Sequence, residues 1–66
     1  MERRKIKLAA VRVNAGLSQE ELAEKMNVSR SSIVNWENGK TGISSANLLS
    51  LAQICNWPVE QIFLPK

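Results

Sequence analysis

One stretch in the middle of the chain carries hydrogen-bonding side chains at helical spacing on a face without carboxylates. If Ile33 and Trp36 of this stretch face a core, the opposite side of the helix points to solvent. That side consists of Arg30, Ser31, Val34 and Asn35. Because none of these side chains is acidic, the face can approach a polyanion without electrostatic repulsion. We therefore take this helix as the candidate binding surface.

Caps and turn residues identify the elements that position this helix. Ser18 and Glu21 form a capping-box pattern that begins one helix, and Ser29 is placed to cap the next. Between them, Asn27 tolerates the left-handed conformation that a tight turn requires. The binding helix is therefore predicted over Arg30–Asn38, with a glycine ending it.

Three more helices complete the predicted fold. The first runs from about residue 3 to Ala15, where apolar residues recur at helical spacing. A fourth helix begins at Ser44 or Ser45, and Pro58 begins a short fifth helix that ends at Phe63. Because no strand-like alternation is present, we predict an all-α domain of five helices that occupies residues 1–66.

Composition excludes several kinds of chemistry. The chain has 66 residues, one cysteine and no histidine. This leaves room for one domain and excludes Cys/His zinc sites, a disulfide framework and Cys–His or Ser–His catalysis. Cys55 lies on the apolar stripe of the fourth helix and is expected to be buried. Glu37 is the plausible inward carboxylate, but it has no second acid or nucleophile beside it. We expect a binding module that is not an enzyme and uses no cofactor, metal or small-molecule ligand.

The net charge of +3 is unevenly distributed. Residues 1–17 carry five basic residues and one glutamate, whereas residues 18–29 carry three glutamates and one lysine. This indicates that one face meets a polyanion while another stays in solvent, although an ordinary basic small protein is the alternative. No apolar run is long enough for a membrane span, and no signal-peptide core follows the basic start. We expect a cytoplasmic protein without membrane contact.

The stretch from Gln19 to Asn38 resembles the helix-turn-helix unit of the Xre/Cro-like repressor family, whose domains are lambda-repressor-like. Ala23 stands at the close contact between two helices, Val28 stands in the turn, and an isoleucine and a tryptophan stand in the core. The flanking segments GLSQEELA, WENGK and PVEQIF are similar to three further segments of the family. The resemblance implies a sequence-specific transcriptional regulator of duplex DNA, a repressor of the phage or mobile-element Cro type, encoded by a bacterium or phage.

The same resemblance implies particular DNA contacts. Bases of the major groove are contacted by Arg30, Ser31 and Asn35, and Val34 is able to touch a thymine methyl group. In this groove, arginine reads guanine through O6 and N7, and asparagine reads adenine through N6 and N7. The residues expected at phosphates are Gln19, Ser29, Ser32, Asn38, Lys40 and Thr41.

Arg12 falls on the core-facing stripe of the first helix, where an unpaired guanidinium would be costly to bury. We expect it to have an acidic partner. Glu37 is the acid on the inner side of the third helix, and relatives in the family hold the matching residues as an ion pair. A DNA contact by Arg12 is the alternative.

The small size of the chain and its lack of disulfides and Cys/His metal sites favour self-association. Discrimination of one site in a genome also favours a homodimer on two half-sites. Trp57 stands where the family often has a helix-capping serine or threonine, so we expect Trp57, Gln61 and Leu64 at the dimer contact. Alternatively, these residues complete the core of the monomer. A different class of function on the same fold is an antitoxin-like or coactivator module that chiefly holds another protein.

Overall fold

The computed structural model describes residues 6–63 and contains four α-helices in that range. The elements in chain order are strand β1 (Ile6–Lys7), helices α1 (Leu8–Asn14), α2 (Gln19–Met26), α3 (Arg30–Asn38) and α4 (Ser45–Ile54), a 3-10 turn over Val59–Gln61, and strand β2 (Ile62–Phe63). The two strands pair in parallel, with Ile6 opposite Ile62. The pairing joins the two ends of the described chain.

Serine caps begin three of the helices. At α2 the Ser18 hydroxyl accepts the Glu21 backbone N–H at 3.0 Å, and the Glu21 carboxylate accepts the Ser18 backbone N–H at 2.9 Å. The predicted capping box is confirmed. The hydrogen bond from the Ser18 backbone favours the ionised carboxylate and lowers the pKa of Glu21. Ser29 and Ser44 cap α3 and α4, each accepting a backbone N–H of the helix it begins.

The core lies where α2 packs against α3 and α4 and where α1 closes the third side. The buried apolar residues are Leu8, Val11, Leu22, Ala23, Ile33, Trp36, Leu51, Ala52, Cys55 and Ile62. The prediction that Cys55 is a buried packing residue is confirmed. Burial raises the pKa of its thiol, and the positive charge of Arg12 opposes that shift. The thiol therefore stays protonated at neutral pH.

The fifth predicted helix is not formed. Pro58 adopts φ −60° and ψ 128°, and only the 3-10 turn over Val59–Gln61 follows it. Ile62 is extended, pairs with Ile6 across the strands and is 6% exposed. Because its backbone is used in this pairing, the segment cannot continue as a helix.

The first helix begins later than predicted. It starts at Leu8, after an extended Lys7, and residues 3–5 lie outside the described range. Ile6 and Lys7 form β1 instead. Within residues 6–63 the regular secondary structure is thus helical apart from one short strand pair. The positions of α2, α3 and the start of α4 agree with the predictions.

Asn27 provides a test of the turn that positions α3. It adopts φ 59° and ψ 44°, a left-handed conformation that costs most residues about 1–2 kcal/mol. We expect Asn27→Ala to lower the free energy of unfolding by about 1 kcal/mol, whereas Asn27→Gly should be neutral or stabilising. Urea denaturation measures both variants. Equal stabilities of the two variants would show that the left-handed backbone is not what asparagine provides.

Candidate nucleic-acid interface

The turn between α2 and α3 fixes the position of the binding helix. α2 ends at the left-handed Asn27, and the Val28 backbone N–H donates to the Ala23 carbonyl at 3.0 Å. Ser29 then caps α3 immediately. Ala23 is only 4% exposed, and its small side chain allows the two helices to approach closely. The two helices and the tight turn between them form a helix-turn-helix.

α3 has an inner and an outer side, as its spacing predicts. Ile33 and Trp36 are buried, at 1% and 8% exposure. The outer residues comprise exposed Arg30 and Ser31 and half-buried Val34 and Asn35. These four residues line one surface depression of about 340 Å³. The structure therefore brings together all four residues predicted to contact bases.

The inner side of α3 ends in an ion pair. Arg12 Nε donates to Glu37 Oε2 at 2.7 Å, and the two side chains are 14% and 8% exposed. Arg12 Nη2 lies 3.4 Å from Glu37 Oε1, and Arg12 Nη1 donates to the Leu17 carbonyl at 2.9 Å. The guanidinium therefore joins α1, the loop after it and the end of α3. The structure places Arg12 against its expected acidic partner.

Gln19 extends this ion pair to the outer face. Its Nε2 donates to Glu37 Oε1 at 3.0 Å, and its Oε1 accepts from Arg30 Nη2 at 3.2 Å. An ionised carboxylate only accepts hydrogen bonds, so Glu37 holds the amide with its nitrogen inward and its carbonyl toward Arg30. The side chain of Gln19 thus has two protein partners, and one of them is the arginine predicted to read a base.

The other residues predicted at phosphates lie at the two ends of α3. At the beginning, the Ser29 and Ser32 hydroxyl oxygens lie 3.1 Å apart. At the far end, exposed Asn38 is the last helical residue. The exposed Lys40 and Thr41 follow, and both of their backbone N–H groups donate to the carbonyl of one α3 residue, at 2.9 and 3.4 Å. Polar groups therefore flank the outer depression on both sides.

A second surface lies at the end of α4 and shares no lining residue with the α3 depression. Half-buried Trp57 packs against the core, and its indole N–H donates to the Gln61 carbonyl at 3.4 Å. Trp57 also lines an open groove of about 490 Å³ with Leu49, which is 50% exposed, and Val59. The structure brings two of the predicted dimer residues together, and the third, Leu64, lies outside the described residues.

Two features of these surfaces were not predicted. The link from Gln19 to Glu37 joins residues 18 positions apart, and no sequence spacing indicates it. The exposure of Leu49 could have been predicted from the sequence, because Leu49 lies off the apolar stripe of α4 that contains Leu48 and Leu51. None of the helices within residues 6–63 is long and apolar enough to cross a membrane.

These features define a DNA-binding helix-turn-helix domain. Residues 8–62 match the family model described as helix-turn-helix. The chain belongs to this Xre/lambda-repressor-like family.

Two known proteins are similar to this chain. The chain is 44% identical over 54 residues to the competence pilus inhibition repressor of Acinetobacter baylyi, a match that covers 82% of this chain and 49% of that protein. It also resembles the crystal structure of the hypothetical transcription factor NHTF from Neisseria, with a TM-score of 0.77 and 31% identity over 88% of this chain and 65% of that one. The chain thus spans about half the length of the curated relative.

A double-mutant cycle tests the ion pair. We expect Arg12→Met alone to leave Glu37 in a poorly solvated place and to lower the free energy of unfolding on the order of 3–5 kcal/mol. Adding Glu37→Leu should restore much of the loss, because no unpaired charge then remains. Urea denaturation of the four proteins gives the coupling energy. Additive losses would show that the two side chains do not stabilise each other.

Proposed function

We propose that the chain is a sequence-specific transcriptional repressor of the Cro type that reads the major groove of duplex DNA with α3. In this proposal residues 1–66 act as one DNA-binding domain in the cytoplasm of a bacterial cell. Membership of the helix-turn-helix family and similarity to proteins described as a repressor and a transcription factor support a DNA-binding regulator. The observation that carries the proposal is the outer depression of α3, which is lined by three hydrogen-bonding side chains, one valine and no carboxylate.

The distribution of acids supports this choice of helix. Glu37 is the one acidic residue of α3, and it is turned inward and paired with Arg12. By contrast, Glu20, Glu21 and Glu24 of α2 are all exposed. A helix with three exposed carboxylates would be repelled by the phosphates on both sides of the groove. α3 therefore enters the groove, and the carboxylates of α2 remain in solvent.

Each residue of the outer face has a chemical role in the proposal. Arg30 reads guanine, Asn35 reads adenine, Ser31 forms a hydrogen bond to either kind of base edge, and Val34 provides an apolar contact. The hydrogen bond from Arg30 to Gln19 orients the guanidinium before DNA arrives. Gln19 therefore acts on base reading through Arg30 as well as at the backbone.

The phosphate contacts flank these base contacts. At the beginning of α3, Ser29 and Ser32 hold the DNA backbone together with Gln19, the first residue of α2. At the far end, Asn38, Lys40 and Thr41 hold it. Contacts on both sides of the groove fix the register of the helix on the duplex. Lys40, the charged member of this set, contributes a salt-dependent attraction that is the same for every sequence.

The proposal includes a homodimer on two half-sites. One α3 reads only a few base pairs, and a symmetric dimer places two such helices one DNA turn, about 34 Å, apart. The groove with Trp57, Leu49 and Val59 supports this role, because it exposes apolar surface beside an indole. In the proposal, Gln61 and Leu64 extend the contact.

Selection from random duplexes, followed by binding measurements on variants, tests the DNA-reading role. We expect Arg30→Ala to weaken binding to the selected operator by about 1–3 kcal/mol and to relax the base preference at one operator position. Lys40→Ala should weaken all sequences alike and lower the slope of affinity against salt by about one unit. Gln19→Ala should partly reproduce the loss of preference seen in Arg30→Ala.

The pattern among these variants decides the outcome. If Arg30→Ala acted equally on every sequence, Arg30 would not read a base. If the wild type selected no sequence at all, the domain would be a protein-interaction module, and the proposal would fail.

Leu49→Glu tests the dimer without disturbing the core, because Leu49 is half exposed. The introduced charge should shift sedimentation toward the monomer and weaken operator binding without changing base preference. Val13→Glu is the matched control, because Val13 is 63% exposed and does not line the groove. Trp57→Ala should also shift sedimentation toward the monomer, and it should lower the melting temperature as well because Trp57 packs against the core. If the wild type is monomeric at high concentration and Trp57→Ala only lowers the melting temperature, Trp57 belongs to the monomer core.

A further inference from the structure

Val34 is the apolar member of an otherwise polar depression. It follows Arg30 by one helical turn on the outer side of α3, and both line the same surface with Ser31 and Asn35. Its three companions present hydrogen-bonding groups, whereas Val34 presents only methyl groups. Valine has a stiff side chain in a helix, so this apolar surface stays in one orientation. The depression therefore contains a fixed apolar spot among its hydrogen-bonding groups.

The major groove offers one apolar group to such a spot. This is the methyl group at C5 of thymine, since the other groups at the base edges donate or accept hydrogen bonds. Cytosine lacks the methyl, and 5-methylcytosine carries the same methyl at the same ring position. A side chain that recognises the methyl by contact therefore treats thymine and 5-methylcytosine alike at this point and disfavours cytosine.

The spacing limits where the methyl lies. Arg30 and Val34 are four residues apart, which is about 6 Å along a helix axis, and base pairs are stacked about 3.4 Å apart. If Arg30 contacts a guanine, Val34 lies within about two base pairs of it. The hydrogen bond between Arg30 Nη2 and Gln19 Oε1 directs the guanidinium toward α2, and half-buried Val34 lines the depression beside it.

We propose that Val34 makes this protein a reader of C5-methyl groups, so that 5-methylcytosine can replace thymine at the contacted position and unmodified cytosine cannot. The proposal rests on DNA reading by α3. In a cell that methylates cytosine at C5, a site with cytosine at this position would be bound more tightly when that cytosine is methylated. The protein would therefore respond to the methylation state of the DNA as well as to its sequence.

The test replaces thymine by deoxyuracil at each thymine of the selected operator in turn. We expect one such position within two base pairs of the guanine that Arg30→Ala identifies. Loss of the methyl group there should lower affinity about fourfold, which is the change that burial of one methylene group produces. At that position 5-methylcytosine, paired with guanine, should bind about fourfold more tightly than cytosine. Filter binding or fluorescence anisotropy measures these ratios.

Two variants assign the effect to Val34. In Val34→Ala the ratio between thymine and deoxyuracil should fall to near one, while the preference for the Arg30 guanine remains. Ser31→Ala, a neighbouring exposed position, should weaken binding and keep the ratio. A ratio near one in the wild type, or an unchanged ratio in Val34→Ala, overturns the proposal. Either result leaves DNA reading by Arg30 intact, whereas failure of the wild type to select any sequence removes the proposed function itself.

Discussion

The pair of Arg12 and Glu37 is the interaction on which the arrangement of the domain depends. Arg12 Nε lies 2.7 Å from Glu37 Oε2, and both side chains are largely buried. The same guanidinium also holds the Leu17 carbonyl, so one charged group connects α1, the loop before α2 and the end of α3. A buried ion pair adds little net stability compared with apolar residues of the same volume. Its value here is geometric, because three segments must meet at one place for its hydrogen bonds to form.

The ion pair also determines how the outer face is presented. Glu37 fixes the amide of Gln19, and the amide carbonyl then holds Arg30. Arg30 donates to Gln19 and Gln19 donates to Glu37, so two hydrogen bonds in series connect the base-reading arginine of the proposal with the ion pair. The same pairing turns the carboxylate of Glu37 away from the outer side of α3. One interaction thus orients a cation on the outer face of α3 and keeps an anion off that face.

Local chemistry explains why much of the fold could be predicted from the sequence. Ser18, Asn27 and Ser29 act within one helical turn of themselves, and the structure shows the caps and the left-handed turn that these residues indicate. The strand pair could not be predicted, because it joins Ile6 to Ile62 and each strand has two residues, too few for an alternating pattern. The burial of Arg12 predicted its partner. The role of Gln19 depends on a contact between helices that no local pattern contains.

The two sides of α3 have different roles: the inner side packs in the domain, and the outer side lines the depression. The inner residues Ile33, Trp36 and Glu37 have their partners within the domain, and a change in any of them disturbs packing or leaves a charge unpaired. Ser31 and Val34 instead face the open depression, so a change there alters what the surface can bind and leaves the core intact. Under the proposed function, a change of these outer side chains alters the operator and leaves the framework of the domain intact. Under the proposed function the operator follows from the chemistry of the outer side chains, among which Arg30 and Asn35 form the bidentate contacts that discriminate between bases.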